Sequence, residues 1–209
     1  MNKERQVIKP GTIVFFNRNV KGEELEGLSD KSLTVVINGD LLLESDFNFK
    51  GDLYVESIRG KYDICIDGNL TCNEEVNTYD ILVARDFTTY EYVKANNIFV
   101  GGDFYSKVGM DTLDITVEGC FWTEELEASS VCVGGDFRCE SIESSGFKID
   151  VAGDFECKDA VYARTVNVLG RVHVDGPIDA DEIKIGYWNS RRWEALHFEV
   201  LLVFYIYSC

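Results

Sequence analysis

A chain of 209 residues, 45% of them hydrophobic, is long enough for one domain with a sizeable core. Its formal net charge of -17 argues against nucleic acid and anionic membrane surfaces as partners, because both attract patches of Lys and Arg. The partner class that this charge favours is a basic protein.

Residues 1–34 lack the repeat that dominates the rest of the chain. They contain one predicted strand, residues 11–16, followed by a polar stretch with Glu23, Glu24 and Glu26. We predict that this segment is an N-terminal cap that closes the open end of the core. The first residues are not followed by a long apolar stretch, so we expect no signal peptide and a cytoplasmic location.

Between residues 35 and 186 a glycine recurs nearly every seventeen residues, with apolar residues at fixed offsets around it. Apolar residues stand two and four positions before the glycine and two positions after it. Such alternation on both sides of a glycine predicts two short strands joined by a corner. A looser apolar group, from Ile58 to Ile178, predicts a third strand. The glycine position is occupied by Gly39, Gly51, Gly68, Arg85, Gly102, Gly119, Gly135, Gly153 and Gly170.

We therefore predict one domain with an all-β fold, a three-sided parallel β-helix of about nine coils over residues 35–186, with ~17 residues in each coil. With about 4.8 Å between strands, nine coils form a rod about 43 Å long. The first step, from Gly39 to Gly51, is only 12 residues, which predicts that the first coil lacks one side. Proline occurs only at Pro10 and Pro177, and its absence between them agrees with continuous strand pairing.

Residues 187–209 depart from the repeat. Residues 191–199 are a predicted short helix, and residues 200–207 are an apolar run that is too short to span a bilayer. We predict that residues 187–209 form a C-terminal cap, because an uncapped solenoid end is an aggregation-prone edge. The alternative is that this aromatic and β-branched run makes a homo-oligomer contact.

The chain has seven cysteines, and three of them, Cys72, Cys139 and Cys157, fall in one predicted inward column. There they are expected to act as small apolar residues. The cysteines form no CxxC pair, and their scatter is typical of reduced thiols in a cytoplasmic protein.

An aspartate follows the repeat glycine in most coils. Such an aspartate can accept hydrogen bonds from its own turn, hold a cation such as Ca²⁺, or face a partner. The chain lacks the dense Gly-Asp nonapeptides of calcium-binding β-rolls, so we predict no metal site and no cofactor. The predicted partner-binding residues are Asp86, Asp103, Asp136 and Asp154.

The sequence gives little support for catalysis. It has two histidines, His173 and His197, and no Ser, Cys or carboxylate recurs beside them in a nucleophile and base arrangement. We predict that the chain is not an enzyme. A polysaccharide lyase or hydrolase of the β-helix type is an alternative, since an acidic cluster is compatible with the sequence, but coils of nearly constant length leave few loops to form a substrate cleft.

The repeat resembles that of bactofilins, the bacterial polymer-forming cytoskeletal proteins, in stretches such as VNVLGRVHVDGPIDADEIKI at residues 166–185. The resemblance covers about residues 35–186. It implies a right-handed three-sided β-helix without a cofactor, able to join end to end into a scaffold.

The function that the sequence favours is a non-catalytic acidic β-solenoid that binds a basic protein, as an inhibitor, an immunity protein or a nucleic-acid mimic. Seventeen excess charges on about 43 Å amount to about one charge per 2.5 Å, within a factor of two of duplex DNA. A bactofilin-like self-assembling scaffold is the first alternative.

Overall fold

The strands of the computed structural model stack as a parallel β-solenoid of about 10 turns, with almost no helix. The structure describes residues 11–143 and 148–186, apart from residues 26, 27, 29 and 31. Each turn has three strand positions, which we call side 1, side 2 and side 3. Side 1 precedes the repeated glycine, side 2 follows it, and side 3 completes the turn. The predicted three-sided parallel β-helix is therefore confirmed.

Seven strands lie on side 1 alone: β4 (Phe47–Lys50), β6 (Ile64–Asp67), β9 (Asp80–Val83), β12 (Asn97–Val100), β14 (Asp114–Val117), β16 (Ser130–Val133) and β18 (Lys148–Val151). Five lie on side 2: β1 (Ile13–Phe16), β7 (Leu70–Cys72), β10 (Phe87–Thr89), β19 (Phe155–Cys157) and β21 (Val172–Val174). Three lie on side 3: β2 (Val20–Lys21), β8 (Val76–Asn77) and β11 (Val93–Lys94).

The remaining strands continue from one side to the next. Five of them cover sides 2 and 3: β3 (Thr34–Leu42), β5 (Asp52–Arg59), β13 (Phe104–Asp111), β15 (Phe121–Glu127) and β17 (Phe137–Glu143). Two cover sides 3 and 1: β20 (Val161–Val168) and β22 (Ile178–Ile185). One short helix, α1 (Gly22–Leu25), interrupts the first turn.

Every strand pairs in parallel with its equivalent one turn away, so that like residues stack on like. On side 1, Ile98 pairs with Ile81 below it and Ile115 above it. The inward residues of sides 1, 2 and 3 form one continuous apolar core from Val20 to Val168. Successive strand residues face opposite ways, so half of each strand packs in this core and half faces outward.

A stack of five phenylalanine rings runs through the middle of the core on side 2. Its members are Phe87, Phe104, Phe121, Phe137 and Phe155. Neighbouring ring centroids lie 4.6, 5.2, 4.9 and 5.2 Å apart, and the ring planes are within 18° of parallel. The coil spacing of about 4.8 Å places the rings at the distance that aromatic stacking favours.

Small polar residues occupy the last inward position of side 2 in the middle turns. The hydroxyl groups of Thr89 and Thr123 donate to the carbonyl oxygens of Glu91 and Glu125, at 3.1 and 3.0 Å. These bonds satisfy carbonyls of the corner between sides 2 and 3, which explains why a buried column accepts hydroxyl and thiol groups.

The first turn differs from the prediction at its boundary. Strand β1 pairs with β3 from Ile13 to Phe16, and β2 pairs with β3 at Val20 and Lys21. The solenoid therefore begins before residue 35 and has one more turn than predicted. Helix α1 follows β2, and its Leu25 is fully buried. A side chain on Gly22 would lie 3.1 Å from the Phe47 ring, so α1 packs closely on the first side 1 strand.

The prediction that the first coil lacks a side is wrong. Val35 and Ile37 pair with Leu53 and Val55, which places β3 on sides 2 and 3 rather than on side 1. Gly39 lies at the corner between sides 2 and 3, whereas the later repeat glycines lie between sides 1 and 2. The step of 12 residues therefore measures the distance between two different corners.

The predicted C-terminal cap and its alternative role in homo-oligomer formation concern residues 187–209, which lie outside the described residues. The last described turn, strands β21 and β22, is more exposed than the others, and Val172, Val174 and Ile178 are only partly buried. Within the described part of the chain, no helix is long and apolar enough to cross a membrane.

Replacing Phe104 by Ala removes one ring from the stack and leaves a cavity between Phe87 and Phe121, so we expect the free energy of unfolding to fall by about 3–5 kcal/mol. Tyr54→Ala removes an aromatic ring from the outer face of the same side and should cost about 1 kcal/mol or less. Urea unfolding followed by circular dichroism measures both variants. Equal losses for the two would contradict the inward placement of Phe104.

Candidate functional site

The residues directly after the repeat glycines form a vertical row along the corner between sides 1 and 2, which we call the corner row. Its members are Asp52, Asn69, Asp86, Asp103, Cys120, Asp136, Asp154 and Arg171. Where the member is Asp or Asn, its side-chain oxygen accepts a hydrogen bond from the backbone N–H of the next member. The Asp103 N–H donates to Asp86 at 3.0 Å, and the Cys120 N–H donates to Asp103 at 2.8 Å.

The same bond recurs along the row. The Asn69 N–H donates to Asp52 at 2.9 Å, and the Asp86 N–H donates to the Asn69 side-chain oxygen at 3.1 Å. The Asp154 N–H donates to Asp136 at 2.9 Å. The aspartate thus accepts from the following turn, and not from its own turn, which was one of the possibilities that the sequence allowed. Each carboxylate links two coils.

The glycine and the aspartate of the repeat depend on one another. A Cβ on Gly102 would clash with Oδ1 of Asp86, and a Cβ on Gly119 would clash with Oδ1 of Asp103 and lie 2.7 Å from the Gly102 carbonyl oxygen. Glycine leaves the space through which the carboxylate reaches the N–H group of the next coil. The two columns therefore act together to join the coils at this corner.

The structure brings the four predicted partner-binding aspartates into one row but gives them different surroundings. Asp86 and Asp103 are exposed and have no ion-pair partner within the part of the chain that the structure describes. Asp154 binds the Arg171 guanidinium through Nε at 3.1 Å and Nη2 at 2.7 Å. The backbone N–H of Arg171, followed by its side chain, lowers the pKa of Asp154. Asp136 is half-buried.

The outward residues of side 2 were not singled out in the sequence, and they form an uncharged column in the first seven turns. Paired positions run through Phe15, Val36, Tyr54, Thr71, Thr88, Tyr105 and Trp122. The column then becomes polar at Arg138, Glu156 and His173. A signal was present in the sequence, because Tyr, Thr or Trp occupies the third position after the glycine site in five successive coils.

Three aromatic residues in this column and its margin form what we call the aromatic patch: Tyr90, Tyr105 and Trp122. The Tyr105 and Trp122 rings stack with centroids 4.6 Å apart and planes 7° from parallel. The Tyr90 ring meets Tyr105 edge-on at 6.3 Å. Tyr90 and Tyr105 are 43% and 38% exposed, although aromatic rings of this size are usually more deeply buried. An exposed aromatic cluster on a flat face is typical of a surface that contacts a partner.

Carboxylates flank the aromatic patch at both corners of side 2. Asp86 and Asp103 lie at the corner with side 1, and the exposed Glu74 and Glu91 lie at the corner with side 3. Asp103 is two residues from Tyr105, a strand separation of about 7 Å. The patch therefore has carboxylates at both corners, whereas the exposed Arg138 borders it next to Trp122.

A second row of carboxylates follows the corner between sides 3 and 1. The Asp63 N–H donates to Asp46 at 3.2 Å, and the Asn97 N–H donates to Asp80 at 3.2 Å. Partial desolvation raises the pKa of the exposed Asp63 carboxyl, and the charges of Asp80 and Asp46 raise it further, although Asp63 accepts the Asp80 N–H. This row places like charges at the coil spacing, and the neutral Asn97 takes the place of an aspartate in one coil.

Among the residues that the structure describes, no three His, Cys, Asp or Glu side chains lie close enough together to hold a metal ion. Comparisons of the chain with protein-family models, with curated proteins and with solved structures gave no match.

Replacing Asp103 by Ala leaves the Cys120 N–H without its acceptor, so we expect a loss of about 1–3 kcal/mol in the free energy of unfolding. Asp103→Asn keeps an acceptor oxygen, as Asn69 does for Asp86, and removes one of several like charges. We expect this variant to be as stable as the parent within about 0.5 kcal/mol. Chemical denaturation compares the three proteins, and equal losses for Ala and Asn would contradict the coil-linking role.

The raised pKa of Asp63 means that the folded protein binds this proton more tightly than the unfolded chain does. The associated stabilisation is present in acid and is lost as the pH rises through the folded-state pKa. We therefore expect Asp63→Asn to stabilise the protein near neutral pH and to have little effect at about pH 3, below the ordinary pKa of aspartate.

The matched control is Asp154→Asn, whose carboxylate has a lowered pKa. This variant should lose stability near neutral pH, where the ion pair with Arg171 is formed, and should match the parent in acid. Thermal unfolding at both pH values tests the pair. If both substitutions changed the thermal stability in the same direction at neutral pH, the opposite pKa shifts assigned to Asp63 and Asp154 would be refuted.

Proposed function

We propose that this chain is a non-catalytic acidic β-solenoid that binds a basic protein across the outer face of side 2, as an inhibitor or immunity protein does. The observation that carries the proposal is the aromatic patch, formed by the exposed Tyr90 and Tyr105 and the half-buried Trp122, between two corners that carry carboxylates. Protein interfaces commonly place aromatic anchors at a desolvated centre and charged residues at a solvated rim.

The two parts of this surface have different roles. The rim carboxylates, Asp86 and Asp103 on one side and Glu74 and Glu91 on the other, attract a basic partner and set its orientation before contact. The aromatic rings supply the apolar area that holds the complex together. Tyr and Trp have few rotatable bonds, and the Tyr105 and Trp122 rings are already held by stacking, so little side-chain entropy is lost on binding.

A nucleic-acid-binding protein is one class of partner that this surface suits. The corner row spaces its carboxylates at the coil distance of about 4.8 Å, compared with an axial rise of about 3.4 Å per phosphate of one DNA strand. Backbone N–H groups hold one oxygen of Asp86 and Asp103 in place, so their charges have fixed positions. Lys and Arg side chains that bind a phosphate row can bridge this difference in spacing.

The experiment combines affinity capture from a lysate of the source organism with binding kinetics for the captured protein. Tyr105→Thr and Trp122→Thr should each weaken binding by about 30-fold, mainly through faster dissociation. Threonine is a suitable replacement because Thr71 and Thr88 occupy the same column. The double variant Asp86→Asn, Asp103→Asn should slow association by roughly 3–10-fold, and added salt should reduce this difference.

Asp154→Asn is the matched control for the charge variants. It lies in the same row, two coils beyond the coil of Trp122, and its carboxylate is already paired with Arg171, so binding should change less than in the double variant. A captured protein that binds all of these variants equally well would overturn the proposal.

A bactofilin-like scaffold is the second candidate. The specific observation in its favour is the partial burial of the inward residues Val172, Val174 and Ile178 in the last described turn, an area that end-to-end contact would cover. Filaments of the purified protein in negative-stain microscopy, formed without any partner, would favour the scaffold. A monodisperse rod that captures a basic protein would favour the first function.

A further inference from the structure

Two cysteines lie directly above one another inside the solenoid. Cys139 on β17 and Cys157 on β19 are in-register partners in adjacent turns, and both are buried. Of the six cysteines within the described residues, these are the only two in paired positions. Cys72 stands in the same column between Val55 and Thr89, and Cys132 stands between Thr116 and Asp150.

The two sulfur atoms occupy the gap between their coils. Sγ of Cys139 lies 3.8 Å from the carbonyl oxygen of Glu156, which precedes Cys157. Sγ of Cys157 lies 3.5 Å from the carbonyl oxygen of Glu140, which follows Cys139. Each thiol is thus directed towards the coil that carries the other. The close approach of the two thiols lowers the pKa of Cys157 and raises that of Cys139.

We propose that Cys139 and Cys157 form a redox-active dithiol that a peroxide converts to a disulfide linking two neighbouring coils. In-register strands hold their Cα atoms about 4.8 Å apart, inside the range of 4.4–6.8 Å found in disulfides. Their Cβ atoms, at about the same spacing, are slightly farther apart than the usual 3.5–4.5 Å. Closing the bond therefore requires a small local approach of the strands, and a strained disulfide is readily reduced.

The reaction balances with one molecule of hydrogen peroxide. The Cys157 thiolate attacks one peroxide oxygen, the O–O bond breaks, and hydroxide is released. Cys157 has then become a sulfenic acid. The Cys139 sulfur then attacks the Cys157 sulfur, so that an S–S bond forms and the S–O bond breaks with loss of water. The two thiols lose two electrons in total, and the peroxide is reduced to two molecules of water.

Trypsin separates the two cysteines, which makes the test direct. Cleavage after Arg138, Lys148 and Lys158 yields one peptide of residues 139–148 and another of residues 149–158, each with a single cysteine. The native full chain is treated with hydrogen peroxide, alkylated in urea to block the remaining thiols, and digested without reductant. We expect mass spectrometry to detect the two peptides joined by a disulfide, and dithiothreitol to separate them.

Serine variants provide the controls, because Ser106 shows that this column accepts a hydroxyl group. Cys72→Ser should leave the cross-link unchanged, whereas Cys157→Ser should abolish it and leave Cys139 open to alkylation in urea. Recovery of both peptides in alkylated form after peroxide treatment of the native protein would overturn the proposal. It would also be overturned if the cross-link formed only when peroxide was added in urea.

Discussion

The register between successive coils is the constraint on which the rest of this molecule depends. Each residue stacks on its equivalent in the next turn, and the strand spacing of about 4.8 Å sets the vertical distance for every pair. Ile98 therefore meets Ile81 and Ile115, and Phe104 meets Phe87 and Phe121. A side chain is tolerated in this arrangement when it packs well against a copy of itself, as apolar and aromatic side chains do.

The corner row shows how a charged residue meets the same requirement. Two exposed carboxylates at the coil spacing repel by only about 1 kcal/mol in water. Each backbone N–H that a carboxylate satisfies avoids a desolvation cost of about 1–3 kcal/mol. The desolvation cost that the hydrogen bond avoids is thus at least as large as the repulsion energy. Asn69 keeps the hydrogen bond without the charge. The column is acidic for a structural reason, which leaves its outer oxygen and its charge available to a partner.

The sequence predicted the core well, because inward positions carry the strict alternation that burial requires. Gly39 was assigned to the corner between sides 1 and 2 because the apolar residues around it follow the same pattern as those around the later repeat glycines. Only the pairing of Val35 with Leu53 distinguishes the two corners. Strand β1 was not recognised as part of the repeat because Ile13 pairs with Thr34, 21 residues later, whereas Phe87 pairs with Phe104, 17 residues later. The longer spacing accompanies helix α1.

Because the coil length is nearly constant, this solenoid can be lengthened or shortened by whole coils. Each turn contacts only the turn above and the turn below, so one complete coil can be removed or duplicated without changing the local contacts of distant turns. Thr71 and Thr88 separate Tyr54 from Tyr105 in the outer column of side 2, and each such coil adds about 4.8 Å. Duplication or deletion of a 17-residue unit would therefore change the distance between two surface groups by about 4.8 Å and leave the local interactions of each group unchanged.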